Sequence, residues 1–416
     1  MFSSSRFVLL AFLLMLAQIV AWRLWQSQFQ KLLYRRAVTV IFILFNIEWI
    51  ATLYYWRYVG EFGGTFLAWV ARPAISWQAL HAFFILPLRA ALFLLWPLLL
   101  LGRRAVKALK ARISDPDRPG RAVSDGISRR DFMKTTARVS FFGLIGFSGY
   151  AVFRQYCYPS VRRITLAVPN LPRALRGFRI AHLSDIHIGL WSTQKELEAA
   201  MAAARAEKPD LAVLTGDLVD RSPNNAALFE KPFKNQLSDV PFGVWGILGN
   251  HDHFVDPARI TRILNGMGLN MLVDSRYNFP GLPLSLTGLD DRYHRMFSKS
   301  QNSRTDPDLL DFGPVRGPAK RAGDFKILLN HRPEGVHQAV RAGFDLYLAG
   351  HTHGGQYSFP GFDHRKNLAA FFYKYTAGLY PIERGWLNVS CGLASVGVPF
   401  RLFSWPEISL ITLETA

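Results

Sequence analysis

Five short motifs in this 416-residue chain each end an apolar, strand-like run in polar residues of metal-binding type. They are HLSDIH, LTGDLVD, ILGNHDH, LLNHRPE and LAGHTHGGQ, and their donors run in order from Asp185 to Gln356. Carboxylate, carboxamide and imidazole groups together suit divalent transition metals such as zinc, manganese and iron. A carboxylate shared by two cations and flanked by His and Asn is how a two-metal hydrolytic centre is assembled. One such motif arises easily by chance. Five in sequence, each at the end of an apolar run, point to a single centre.

The elements that must position these residues are legible around them. Phe178–Ser184 reads as a strand running into Asp185 and His187, and Asp210–Thr215 as a strand ending just before Asp217. Phe242–Leu248 leads into Asn250 and His251, Phe325–Leu329 into His331, and Phe344–Ala349 into His351 and His353. Between the first two, Gln194–Glu207 is Ala-rich with helical periodicity, and Pro209 stops it. Strands that repeatedly deliver polar residues at their C-terminal ends build a site along one edge of an α/β sheet. Gly216, Gly249 and Gly350 fit turns in which the backbone approaches a ligand closely.

In this order the motifs read D-x-H, G-D, G-N-H-D, a lone H and G-H-x-H, and the stretch from about 160 to 416 resembles the calcineurin-like metallophosphoesterase superfamily. The segment Gly385–Leu410 is similar to the C-terminal strands of a membrane-associated bacterial branch, which includes enzymes like UDP-2,3-diacylglucosamine hydrolases of lipid A synthesis. The resemblance implies a four-layer αββα sandwich and two divalent metal ions. By the same carry-over Asp185, His187, Asp217 and His353 hold the first metal. Asp217, Asn250, His331 and His351 hold the second, with Asp217 as bridge. His251 matches the histidine that stays off the metals and acts on the developing charge or the leaving oxygen. A metal-activated hydroxide would then attack phosphorus in line. Asp252 and His253 read as turn or ligand-orienting residues. Asp220, Arg221 and Arg332 read either as phosphate contacts or as solvated surface groups. Asp290 and Asp291 give a weak signal of a strand-end turn near the site. His182, His294, His337 and His364 are assigned no chemistry.

Charge and hydropathy divide the chain. The formal charge is +19, and residues 1–158 carry 20 Lys/Arg against 6 Asp/Glu, so +14 of the excess lies there. That distribution fits membrane topology better than a nucleic-acid groove, and no nucleic acid is expected as a partner. Within residues 1–101, Phe7–Trp22, Ala37–Trp56 and a run inside Leu80–Leu101 approach the roughly 20 residues a helix needs to cross a bilayer. Arg89 interrupts the third run, where a charge is costly at mid-span. The linker 102–138 is strongly basic and therefore cytoplasmic by the positive-inside rule. It contains Ser128-Arg129-Arg130-Asp131-Phe132-Met133-Lys134 before the apolar stretch Val139–Phe153, a pattern resembling an internal twin-arginine export signal. A fourth span over 139–158 after an ordinary basic loop is the other reading. Either way residues 160–416 stand outside the cytoplasm, on the periplasmic face of a bacterial inner membrane that the chain crosses several times. Two cysteines, Cys157 and Cys391, exclude a disulfide framework and a thiolate metal site.

The leading expectation is a membrane-anchored phosphoesterase acting on a phosphorylated small molecule or lipid. A UDP-linked lipid would meet the site only on the cytoplasmic face, so a periplasmic phosphodiesterase of headgroups or nucleotides stays open beside it. A catalytically silent receptor or scaffold is the alternative of a different class, and the intact set of candidate ligands counts against it. Substrate, metal identity and oligomeric state stay open.

Overall fold

Strand alternation in the catalytic half sorts side chains onto two faces, and both faces are covered. Ile180, Leu211 and Val213 point into one core while their neighbours Ala181, Leu183, Ala212 and Leu214 point into another. A strand buried on both faces reads as a continuous apolar run, which is why AVLT and KILL looked uninterrupted. The computed structural model divides the chain into two compact units, Met1–Tyr54 with Val70–Tyr150, and Tyr55–Trp69 with Ala151–Ala416. It describes residues 159–416 apart from 190–191, 292–314, 320, 359–362, 364 and 398–400, with scattered helical positions between 19 and 150. The three proposed spans, the Arg129-Arg130 pair and the run Val139–Phe153 fall outside the described residues, except for isolated positions. Among the described residues no helix is long and apolar enough to cross a membrane.

Among the described residues, twelve strands form two six-stranded sheets, both mixed. The first has the order β1-β12-β2-β3-β4-β5: β1 (Ser160–Val168), β12 (Glu407–Thr415), β2 (Arg179–Leu183), β3 (Leu211–Thr215), β4 (Val244–Ile247) and β5 (Asn270–Met271). The second has the order β10-β11-β9-β8-β7-β6: β10 (Gly378–Ile382), β11 (Gly385–Val389), β9 (Leu346–Ala349), β8 (Phe325–Leu329), β7 (Leu284–Gly288) and β6 (Ser275–Asn278). One core lies between the sheets, where Ile180, Leu211, Val213 and Ile247 of the first meet Leu284, Leu286, Ile327 and Leu348 of the second.

The outer face of the first sheet is covered by α1 (Gln194–Ala206), α2 (Glu230–Gln236), α3 (Asn250–Val255) and α4 (Pro257–Gly266), with Leu197, Met201, Phe233 and Leu264 buried against it. The outer face of the second packs on α5 (Val336–Arg341) through Val336, Ala339 and Val340. The layering is therefore helix, sheet, sheet, helix, as expected. Helix α1 starts where its capping chemistry says it should. Thr193 accepts from the Glu196 amide, and Glu196 accepts from the Thr193 amide. The five strands expected to end in site residues are all present, each within two residues of the expected bounds.

The placement of the C-terminal strand was not legible. β12 inserts between β1 and β2, parallel to the first and antiparallel to the second. The loop before it, from Ser390 to Pro406, is thereby folded over the strand ends that carry the candidate ligands, as the amides of Leu393 and Ala394 bonded to the carbonyls of Ser184 and Asp185 show.

Candidate metal centre

Three of the motifs place residues in the left-handed region of backbone space. Asp185 has φ 52°, His187 46°, Asp217 51°, His351 71° and His353 52°. A non-glycine residue pays of order 1–3 kcal/mol for such a conformation, and these cluster where function requires it. The neighbouring turns are tight as well. A Cβ on Gly249 would collide with the Asp217 carboxylate, and one on Gly350 with Ser184 and Asp185. Gly216 itself sits at φ 84°.

These turns bring the expected residues together. Asp185, His187, Asp217 and His353, all buried, offer ligand atoms within 4.8 Å of one another. Asp217, His331 and His351 form a second such group, so Asp217 belongs to both. Asn250 opens α3 directly after Gly249 and is buried. His251 stands beside this cluster, half-buried, with its ring 4.6 Å from that of His187.

Hydrogen bonds decide which ring nitrogens are left over. His187 Nδ1 is 2.9 Å from Asp220 Oδ2, His331 Nδ1 is 2.8 Å from the Thr215 carbonyl, and His353 Nδ1 is 2.9 Å from the Ala394 carbonyl. Each Nδ1 therefore donates, and each Nε2 carries a lone pair. His187 Nε2 and His353 Nε2 face each other at 3.2 Å, with Asp217 Oδ2 3.5 Å from the former and Asp185 Oδ1 3.4 Å from the latter. Lone pairs and carboxylate oxygens crowded in this way call for a positive charge among them. Burial alone would lower the His187 pKa, but Asp220, Asp217 and Asp185 raise it to about 9. Burial likewise works against His331, and Asp217 and Asp185 overcome it to reach about 10. Asp217 feels burial pushing upward, yet His331, His187 and His251 hold it well below the carboxylate range. The donor set thus fits two divalent cations, with imidazoles oriented through their second nitrogens in the usual manner of metal ligands.

Several residues occupy places that the sequence reading left open or mis-set. Asp220 is neither a surface group nor exposed to a phosphate: it is buried, and its two oxygens hold His187 Nδ1 and His251 Nδ1 at 2.9 and 2.8 Å. Asp252 is fully buried and accepts from the amides of Leu218, Val219 and Gly249, tying two of the turns together. Arg332 is not solvated surface. Its Nε donates to Asp291, one Nη lies 2.6 Å from His351 Nε2, and the other donates to Asn250 Oδ1 at 3.2 Å. Asp290 meets His253 Nε2 at 2.7 Å, so the LTGLDD turn does border the site. His182 is an interior residue, bonded to Thr215 and Asn388.

Sequence reasoning missed Tyr373 and Arg401. The Tyr373 hydroxyl is 3.2 Å from His351 Nε2. Arg401, fully buried, donates to the carbonyls of Cys391, Ala394, Ser404 and His353. It fixes the loop that orients His353. The only signal available was a lone arginine inside the apolar stretch VPFRLFSW. Cys391 is a free, buried thiol.

Residues 178–355 match the family model described as calcineurin-like phosphoesterase. The match takes in every ligand candidate from Asp185 to His353. The chain is 28% identical over 296 residues to the uncharacterized metallophosphoesterase YkuE of Bacillus subtilis, covering 70% of this chain and 98% of that protein. It is 28% identical over 305 residues to a "transmembrane protein with metallophosphoesterase domain" of Danio rerio, covering 71% of this chain and 66% of that longer one. An uncharacterized metallophosphoesterase of Aquifex aeolicus is 27% identical over 257 residues, 61% of this chain and 91% of its own. The phosphoesterase match stops at Gly355, whereas Tyr373, Ala394 and Arg401, which contact His351 and His353, lie beyond it. The C-terminal strands and loops thus complete a site whose ligand candidates all lie within the matched stretch.

Proposed function

We propose that this metallophosphoesterase hydrolyses a phosphate ester or pyrophosphate bond at a centre of two divalent metals. The observation that carries the reading is the pair of buried donor groups sharing Asp217. In it, Asp185, His187, Asp217 and His353 hold one cation; Asp217, Asn250, His331 and His351 hold the other. When bound, two such cations polarise phosphoryl oxygens and lower the pKa of a water between them. The chain's own groups do the rest. Asp220 holds His251 by Nδ1 at 2.8 Å and so leaves Nε2 as the nitrogen that meets a substrate oxygen; as the imidazolium, His251 would give its Nε2 proton to the leaving oxygen and become neutral. Arg332 is anchored by Asp291 through Nε, and its Nη groups lie at the second donor set, where they serve the charge of a phosphoryl group.

The substrate in this reading is lipid-linked and the enzyme membrane-anchored, through the apolar runs of residues 1–158. The relative from Danio rerio, named as a transmembrane protein, supports the anchoring. A UDP-diacylglucosamine-type pyrophosphate and a phospholipid headgroup diester are the two substrate forms. The test is a reconstituted full chain, loaded with zinc, manganese or iron and assayed on bis-p-nitrophenyl phosphate, p-nitrophenyl phosphate and UDP-2,3-diacylglucosamine. Two metals per chain with turnover of at least one substrate is the expected result. A chain that binds both metals and turns over none of them would favour the silent scaffold.

A further inference from the structure

Well-exposed phenylalanines in the catalytic half gather at the rim of the site. Among the described residues Phe371 is 75% exposed, Phe372 84% and Phe254 61%. Phe254 stands 5.5 Å, ring to ring, from His251. Phe371 and Phe372 immediately precede Tyr373, whose hydroxyl reaches His351. Leu368, 37% exposed, lies on the same 3₁₀ turn, Leu368–Phe371.

This turn is a built projection and not a loose tail. Asn367 is buried and caps the turn by accepting from the Ala370 amide, while its own amide donates to Thr376 Oγ1. Ala369 is buried beneath it. A Cβ on Gly355, at φ 67°, would run into Ala369 and Asn367, so the base of the turn packs on the loop that follows His353. The scaffold thus holds two adjacent phenylalanines outward, where folding alone would bury them.

The charge around them selects the partner. The segment Asp363–Lys374, DHRKNLAAFFYK, has Arg365, Lys366 and Lys374 against Asp363 alone. Lys366 and Lys374 are exposed. Tyr373 and Lys374 also wall a cavity of ≈ 470 Å³ on the side of α5, a space next to the centre that is open to a polar headgroup. Exposed aromatic side chains flanked along the chain by exposed lysines suit an anionic bilayer, which offers acyl chains to the one and charged headgroups to the other. A water-soluble substrate requires none of this.

We infer that Leu368, Phe371 and Phe372 form a prong that enters the surface of an anionic membrane, with Lys366 and Lys374 among the headgroups, so that the centre at His351 opens at headgroup level. The inference rests on the membrane part of the reading above and not on its chemistry.

The experiment uses the full chain with Cys157→Ser, in nanodiscs of phosphatidylcholine with or without phosphatidylglycerol. An environment-sensitive fluorophore is placed at Phe372→Cys and, as a control on another surface, at Asp239→Cys. At position 372 the emission shifts to the blue and is quenched by nitroxide on the lipid chains, more strongly with phosphatidylglycerol. At 239 neither occurs. Lys366→Glu with Lys374→Glu weakens the quenching at 372. A blue shift without lipid quenching would assign the prong to a protein partner or a second copy and overturn the inference. An unshifted, unquenched signal at 372 overturns it too. Because hydrolysis of bis-p-nitrophenyl phosphate is read in the same preparations, failure of docking is distinguishable from failure of the metal chemistry.

Discussion

Asp217 is the residue common to both donor groups. One oxygen accepts the His251 amide at 2.8 Å, and the other lies 3.3 Å from His331 Nε2 and 3.5 Å from His187 Nε2. If it bridges two cations, Asp217→Asn disturbs both sites, while His187→Ala mainly weakens one. Elemental analysis of the purified variants decides this, and two metals with normal activity in Asp217→Asn would remove the bridge. His251 belongs to a different test. It lies outside both donor groups that contain Asp217, so His251→Ala should keep near-normal metal content and lose roughly 10²–10⁴-fold in kcat, the range for a positioned acid or base. A metal-free His251→Ala protein would instead move this residue among the ligands.

At the scale of elements, the site depends on turns that other elements clamp. Asp252 takes three amides from the β3 and β4 turns, and Arg401 donates to three carbonyls of the C-terminal loop and to that of His353. β2 is clamped from within by His182, whose Nε2 is 2.8 Å from Thr215 Oγ1 on β3 and whose Nδ1 accepts from Asn388 on β11. Burial lowers its pKa from 6.5 to about 3. The folded state therefore refuses a proton that the unfolded chain binds below about pH 6.5. Stability from this residue is full above that pH and is lost at up to about 1.4 kcal/mol per pH unit as pH falls toward 3. His182→Gln keeps hydrogen-bonding groups but cannot titrate. Urea unfolding of both proteins between pH 7 and pH 4 should show a shallower loss for the variant; parallel curves would mean that His182 is protonated as easily in the fold as outside it.

For the whole molecule, the proposed anchoring raises the question of which side of a bilayer the centre would face, because that would determine the substrates it meets. Basic residues over Arg103–Arg138 followed by the apolar Val139–Phe153 argue for export of the catalytic half. Fusions after Ser160 should show alkaline phosphatase activity. GFP fluorescence there without twin-arginine export would place the half inside and bring UDP-linked lipids within reach. Replacing Arg129 and Arg130 together with Lys keeps the charge and removes the signal, so mislocalisation is the expected outcome. Unchanged localisation would make the segment an ordinary span.

The sequence by itself determined the seven candidate ligands, His251 and the strands that carry them. Those strands are short apolar runs whose polar ends follow directly in the chain, so periodicity and position suffice. The calcineurin-like pattern of Asp185 to His353 is likewise local. What only the tertiary structure decided depends on contacts between distant residues. Asp220 reads equally as a phosphate contact or a surface charge, because nothing nearby in sequence shows that His187 and His251 share it. Arg332 reads the same two ways, and only the fold closes Asp291, Asn250 and His351 around it. Tyr373 and Arg401 reach the site only because β12 returns to lie between β1 and β2 and folds the preceding loop over the strand ends. The left-handed backbone at five of the seven ligand candidates is equally a product of these contacts, since no intrinsic preference of Asp or His would hold it there.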